Sequence, residues 1–158
     1  MRFKRSQAAL EFLTTYGWAI LVVLVMIGAL AYFGVLNPSK FAQERCAGGS
    51  IFSCSASANT TKITLELTNQ LPEKITVSTT ASEWDVQLAN GTSITVSSVT
   101  VSGGGVIQPS AHKTFGINLN SALGNSGDKV KIEIQVPYTR GESSLTQKAT
   151  VEVITTLG

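Results

Sequence analysis

Few residues in this chain are of types that do chemistry, and their spacing narrows the choice. His112 is the single histidine, and Cys46 and Cys54 are the two cysteines. A zinc centre needs more ligands than these supply in one place, so neither a metal nor a cofactor is expected. His112 sits in the loop-like stretch QPSAHK and reads as a solvated residue, not a catalytic base. The carboxylates mostly fall at outward positions of alternating segments, where a solvated strand face would put them. Gly103-Gly104-Gly105 lacks the Lys-Ser/Thr ending of a phosphate loop and reads as a strand connection. No catalytic residues are therefore assigned, and the chain is not expected to be an enzyme. Four features remain: a carboxylate, Glu11, at the edge of a long apolar run; the cysteine pair; and two sequons, Asn59-Thr60-Thr61 and Asn90-Gly91-Thr92.

The carboxylate depends on the element that carries it. Arg2, Lys4 and Arg5 open the chain, Glu11 follows, and the 28 residues from Phe12 to Ser39 hold no charge. As a helix that run would be ~42 Å long, against a bilayer hydrocarbon core ~30 Å thick. The basic residues ahead of it place the N-terminus in the cytoplasm and the bulk of the chain outside. A removable secretory signal has an apolar core of about 7–15 residues followed by a small-x-small cleavage site. This run is longer and ends in LNPSK, so it reads better as a permanent anchor or as something more specialised. At the bilayer centre Glu11 would cost ~2.5–3.5 kcal/mol. Either it lies in the first helical turn, where the helix dipole favours negative charge, or it meets a cation inside an apolar assembly.

The run KRSQAALEFL resembles the class III signal peptide of archaeal type IV pilins, and TYGWAILVVL resembles the helix that follows it in that family. The resemblance covers residues 1–40. It implies that a prepilin peptidase cuts between Ser6 and Gln7. Gln7 then becomes the first mature residue and Glu11 the fifth, the family's position for a glutamate that neutralises a neighbouring subunit's N-terminal amine. The family pattern has serine at the third mature position and leucine at the ninth, where this chain has Ala9 and Thr15. The resemblance further implies a homo-oligomeric helical filament, driven by an assembly ATPase and a membrane platform. The precursor would sit in the cytoplasmic membrane and the mature pilus outside the cell, serving adhesion. An archaellum subunit usually lacks that glutamate, so Glu11 speaks against it. An uncleaved membrane-anchored binding module and a minor, non-polymerising pilin are the alternatives. Loss of residues 1–6 removes three basic residues and leaves nine against ten acids, a formal charge of −1.

Composition supports the same division. Only 14% of residues are charged and 7% are aromatic, with a net charge of +2, which speaks against nucleic-acid binding. No proline occurs between Gln7 and Asn37, and Pro38 supplies a stop. The expected organisation is a leader over 1–6, a hydrophobic helix over 7–37, a neck over 38–59 and a head over 60–158. The cysteines flank AGGSIFS in the neck. Outside the cell a Cys46–Cys54 disulfide is the preferred reading, with free thiols or half of a metal site as alternatives. Both sequons are candidate N-glycan acceptors in an exported chain, and the outward Ser and Thr residues permit O-glycans.

From Phe41 onward there are 16 threonines and 15 serines, and apolar residues alternate with polar ones. Ile63, Leu65 and Leu67 begin the pattern, and Ile75 with Val77 continues it. Trp84, Val86 and Leu88, then Phe115, Ile117 and Leu119, follow the same period. Val130 to Val136 and Ala149 to Val153 complete it. This period-two pattern predicts six or seven half-buried strands. The expected fold class is α+β, with the long helix followed by an immunoglobulin-like antiparallel β-sandwich; a barrel is the alternative. Matching the apolar faces at Asn90-Gly91 requires a three-residue loop, Ala89 to Gly91. That register pairs Val86 with Ile94 and Trp84 with Val96, with Gly91 left-handed. Val99 and Val101 are out of phase with Ile94 and Val96, which predicts an irregularity near Ser97-Ser98.

Overall fold

The structure is a computed structural model that describes residues 3–33 and 43–158, with side chains described from Leu10. Two compact units divide the chain, residues 1–41 and residues 42–158. The first contains one helix, α1 (Phe3–Tyr32). It begins four residues before the expected start; the expected end, residues 34–37, lies outside the described residues, as does Pro38. The start at Phe3 leaves no acidic residue in the first turn. Glu11 lies in the third turn of this precursor helix, so the dipole account of its charge does not hold there, because that effect fades within one turn.

The second unit is an antiparallel β-sandwich of two sheets, the α+β class expected. Its strands are β1 (Arg45–Ala47), β2 (Phe52–Ala58), β3 (Lys62–Asn69), β4 (Ile75–Val77), β5 (Asp85–Leu88), β6 (Ser93–Ile94), β7 (Val96–Val101), β8 (Val106–Ile107), β9 (His112–Leu119), β10 (Lys129–Arg140) and β11 (Gln147–Thr156). The smaller sheet runs β2-β3-β9-β7. The larger runs β1-β11-β10, and the free edge of β10 is shared end to end by β5 and β4, which in turn pair with β6 and β8. β10 is 12 residues long and has room for both. His112 opens β9 opposite Thr68, so it is a strand residue and not a loop residue, although it is exposed as expected.

The core forms where the inward faces meet. Ile63, Leu65 and Leu67 from β3 and Phe115 and Ile117 from β9 are fully buried against Ile132, Ile134 and Val151. Each such side chain stabilises the fold by about 1.5–3 kcal/mol relative to exposure. Phe52 meets Tyr138 edge-on at 5.7 Å, and Trp84 lies 6.0 Å from Phe115. The Trp84 indole N–H donates to the Ser78 carbonyl at 2.8 Å, so the buried ring leaves no unpaired donor. Buried Asn69 donates to the carbonyls of Glu73 and Ile107 and accepts from the Leu71 N–H. It pins the loop after β3 to β8.

The three-residue loop forms as the face-matching argument requires. Val86 pairs with Ile94, the Gly91 N–H donates to the Leu88 carbonyl at 2.9 Å, and Gly91 has φ +83°. The pairing of Trp84 with Val96 does not form. The chain leaves the larger sheet after Ile94 and enters the smaller at Val96, which pairs with Leu119. A register shift between Val96 and Ser98 then restores Val99 and Val101 to the inward face, opposite Ile117 and Phe115. β1 and β2 fall in the stretch read as a neck, yet they belong to the sandwich. In β2 serines alternate with Cys54, Ala56 and Ala58, inward residues so small that the period-two signal is weak.

Candidate assembly site

The stretch from Leu10 to Tyr32 contains 23 residues with a mean hydropathy of 2.1. It is long enough to cross a bilayer. Its large side chains are exposed within the single chain: Leu13 is 67% exposed, Trp18 62% and Met26 61%. These residues occupy every face of the helix, so α1 has no polar stripe. A helix apolar all round is stable only when surrounded, by lipid or by other helices. Its few polar groups are arranged accordingly. Thr14 Oγ1 donates to the carbonyls of Leu10 and Glu11, and Thr15 Oγ1 donates to the Glu11 carbonyl at 2.9 Å. Both hydroxyls are thus satisfied within the helix and need no water. Phe12 and Tyr16 pack one turn apart, with ring centroids at 4.3 Å.

Glu11 is the exception, the one ionisable carboxylate in this stretch, and it is exposed. Nothing in the single chain neutralises it among the described residues. The Ser6–Gln7 peptide lies within the α1 backbone; the side chains of both residues lie outside the described ones. A cut there would make the N–H groups of Gln7 to Leu10 the new unpaired helix end. It would bring Glu11 within about a turn of a free amine. Gly17 and Gly28 have no neighbour within 4 Å of a would-be Cβ. The isolated chain therefore does not require them, and they leave notches on the helix surface where a second helix could approach.

In the head, Cys46 and Cys54 form a disulfide across a sequence separation of 8. Cys46 is on β1 of the larger sheet and Cys54 on β2 of the smaller, so the bond joins the two layers. β1 pairs with β11 at three positions and carries an ion pair, Arg45 to Glu152 at 2.8 Å. The turn between the cysteines requires Gly48, because a Cβ there would lie 2.4 Å from the Phe52 carbonyl oxygen.

Both sequon asparagines are exposed and stand in tight turns. Asn59 Oδ1 accepts from the N–H groups of Thr61 and Lys62, at 3.1 and 2.7 Å. Asn90 Oδ1 accepts from the Thr92 N–H at 2.9 Å. In each turn the side-chain oxygen is held by backbone. The cysteines, Asn59 and Asn90 are thus separate features and do not converge on one site. Lys113 plays a part the sequence did not suggest: its ammonium donates to the carbonyls of Gly103 and Gly104, at 2.9 and 2.6 Å. It fastens the glycine loop, and no local pattern announces a contact across ten residues. Among the described residues no cluster of three or more metal-ligating side chains occurs.

No protein-family model matches the chain, and no curated protein matches it. Among solved structures, the yeast GGA1 GAE domain is similar at 15% identity and a TM-score of 0.36. The match covers 70% of this chain and 98% of that one.

Proposed function

We propose that this chain is a structural subunit of an archaeal type IV adhesion pilus. A prepilin peptidase removes residues 1–6, α1 enters the filament core, and the β-sandwich heads form the sheath. An assembly ATPase and a membrane platform drive polymerisation, and the chain itself catalyses no reaction. The observation that supports this most is the Leu10–Tyr32 stretch of α1, with apolar side chains on every face and Glu11 as its single charged group. In a lipid anchor that carboxylate has no task. In a bundle of such helices it pairs with the amine at Gln7 of a neighbouring subunit. Before cleavage the basic leader holds the helix in the cytoplasmic membrane; afterwards the helix can leave lipid for a helical core. Asn59 and Asn90 carry N-glycans on the exported head.

Protein sheared from the native cell surface tests this directly, by N-terminal sequencing and intact mass. A start at Gln7 is expected. A start at Met1, with the protein retained in the membrane fraction, would refute the filament and leave an anchored binding module. Glu11→Ala is expected to abolish filaments while leaving the membrane level of the precursor unchanged.

A further inference from the structure

The smaller sheet has one edge with which no other strand among the described residues pairs, although the short 3-10 turn Ala81–Glu83 packs against β7. β7 pairs with β9 on one side only. Among the described residues, no backbone hydrogen bond joins Val96–Val101 to any other element. The remaining edges are short or blocked. β1 has three residues and carries Arg45, and β6 and β8 have two each. β2 is bridged at both ends, Phe52 to Gly48 and Ala58 to Leu157, and is cross-linked at Cys54. β7 is six residues long, VSSVTV.

Proteins usually guard such an edge with lysine, proline or an inward charge. Here no residue between Asp85 and His112 is ionisable. Among the described residues the edge has the bulge at Ser97 at one end, the Ala81–Glu83 turn packed against the strand, and the Lys113 ammonium on the carbonyls of Ser102 to Gly104 past the other end. The segment beyond the bulge is β-branched, uncharged and free of proline, the composition that pairs most readily. It is also self-complementary. An antiparallel copy centred on Thr100 sets Thr100 against Thr100, Val99 against Val101 and Ser98 against Ser102. Every valine then stays on the inward face, every hydroxyl stays outward, and no like charges meet.

We propose that β7 is a docking edge for β7 of a second copy of this chain, joining two four-stranded sheets into one. The contact is two-fold. A polar filament assembled by repeated head-to-tail contacts contains no such axis between its own subunits. If the filament reading above holds, on which this consequence rests, the edge joins two filaments of opposite direction into a bundle.

The head, residues 42–158, is suited to the test because it has a core of its own, from Phe52 to Leu157. Sedimentation should show a concentration-dependent dimer. Thr100→Lys, which sets two ammonium groups opposite each other, should weaken it about fivefold. Ser57→Lys adds the same charge on the far strand and should leave it unchanged. Thr100→Cys should give disulfide-linked dimers under mild oxidation, since directly opposed Cβ atoms lie ~4.5–5.5 Å apart. A head that stays monomeric to ~1 mM, a dimer indifferent to Thr100→Lys, or a Thr100→Cys head that does not cross-link would each overturn the proposal. None of these results bears on whether the native chain starts at Gln7, so the two readings fail separately.

Discussion

Removal of the Cys46–Cys54 bond tests how the head is held together. The loop it closes is short, with a separation of 8 residues. Loop-closure entropy for that length stabilises the folded state by ~2.5 kcal/mol at 25 °C. A domain the size of residues 42–158 loses roughly 4 °C of Tm per kcal/mol. The head carrying Cys46→Ser and Cys54→Ser should therefore melt ~10 °C below the oxidised wild type. Circular dichroism melts in matched buffers measure this, and reduction of the wild type should reproduce it. The loss should also have a location. Without the bond, β1 keeps three pairs to β11 and the Arg45–Glu152 ion pair, and an exposed pair of that kind contributes at most ~1 kcal/mol. Amide exchange should quicken first in residues 45–47 and least in β3 and β9. A fall of less than ~3 °C, or equal loss of protection across all strands, would refute the view that the bond staples a weak edge strand to the opposite sheet.

Three further outcomes follow from particular contacts. A Cβ on Gly105 would sit 1.8 Å from the Val77 carbonyl oxygen, and the Gly105 carbonyl accepts the Val77 N–H. Gly105→Ala should thus destabilise the head by about 2–4 kcal/mol, as measured by urea unfolding. Glu152 has its pKa lowered from 4.5 by hydrogen bonds from Arg45 and Lys131. A carboxylate with a depressed folded pKa contributes stability above its unfolded pKa and loses it as pH falls through the folded value. The head should therefore weaken below about pH 4.5, and Glu152→Gln should flatten that part of the stability profile in acid titrations. In cells, Glu11→Gln keeps the shape of the side chain but removes its charge, and should impair filament formation as Glu11→Ala does; electron microscopy of sheared material decides it.

Much of the sandwich was legible because burial on one face writes itself as alternation. β3, β9, β10 and β11 each carry a run of alternating inward residues, most of them Val, Ile, Leu or Phe, and all four form. Face-matching alone located the Ala89–Gly91 loop, since a one-residue slip would have turned Ile94 outward. The same argument failed one step later. Pairing Trp84 with Val96 assumed that the hairpin stays in one sheet, and alternation says which face is buried but not which sheet a strand joins. β2 escaped notice because Ser53, Ser55 and Ser57 face out while Cys54 and Ala56 face in, and inward residues this small bury too little apolar area to stand out. In the candidate site, Glu11 stood out because a carboxylate beside 28 uncharged, mostly apolar residues is conspicuous in any context. The open edge of β7 was hidden, although its lack of charge was readable, because an edge exists only once all strand partners are assigned.

By itself, then, the amino-acid order determined the local facts: an apolar helix long enough to cross a bilayer, a period-two head, and a turn whose left-handed residue had to be glycine. These depend on a residue and its near neighbours. Only the tertiary structure decided that β10 serves β4 and β5 on one edge, that the chain changes sheets at Thr95, and that the disulfide joins two layers. Such choices rest on contacts between residues far apart in sequence. Their free energies depend on how two whole surfaces pack, and no short window of sequence contains both surfaces.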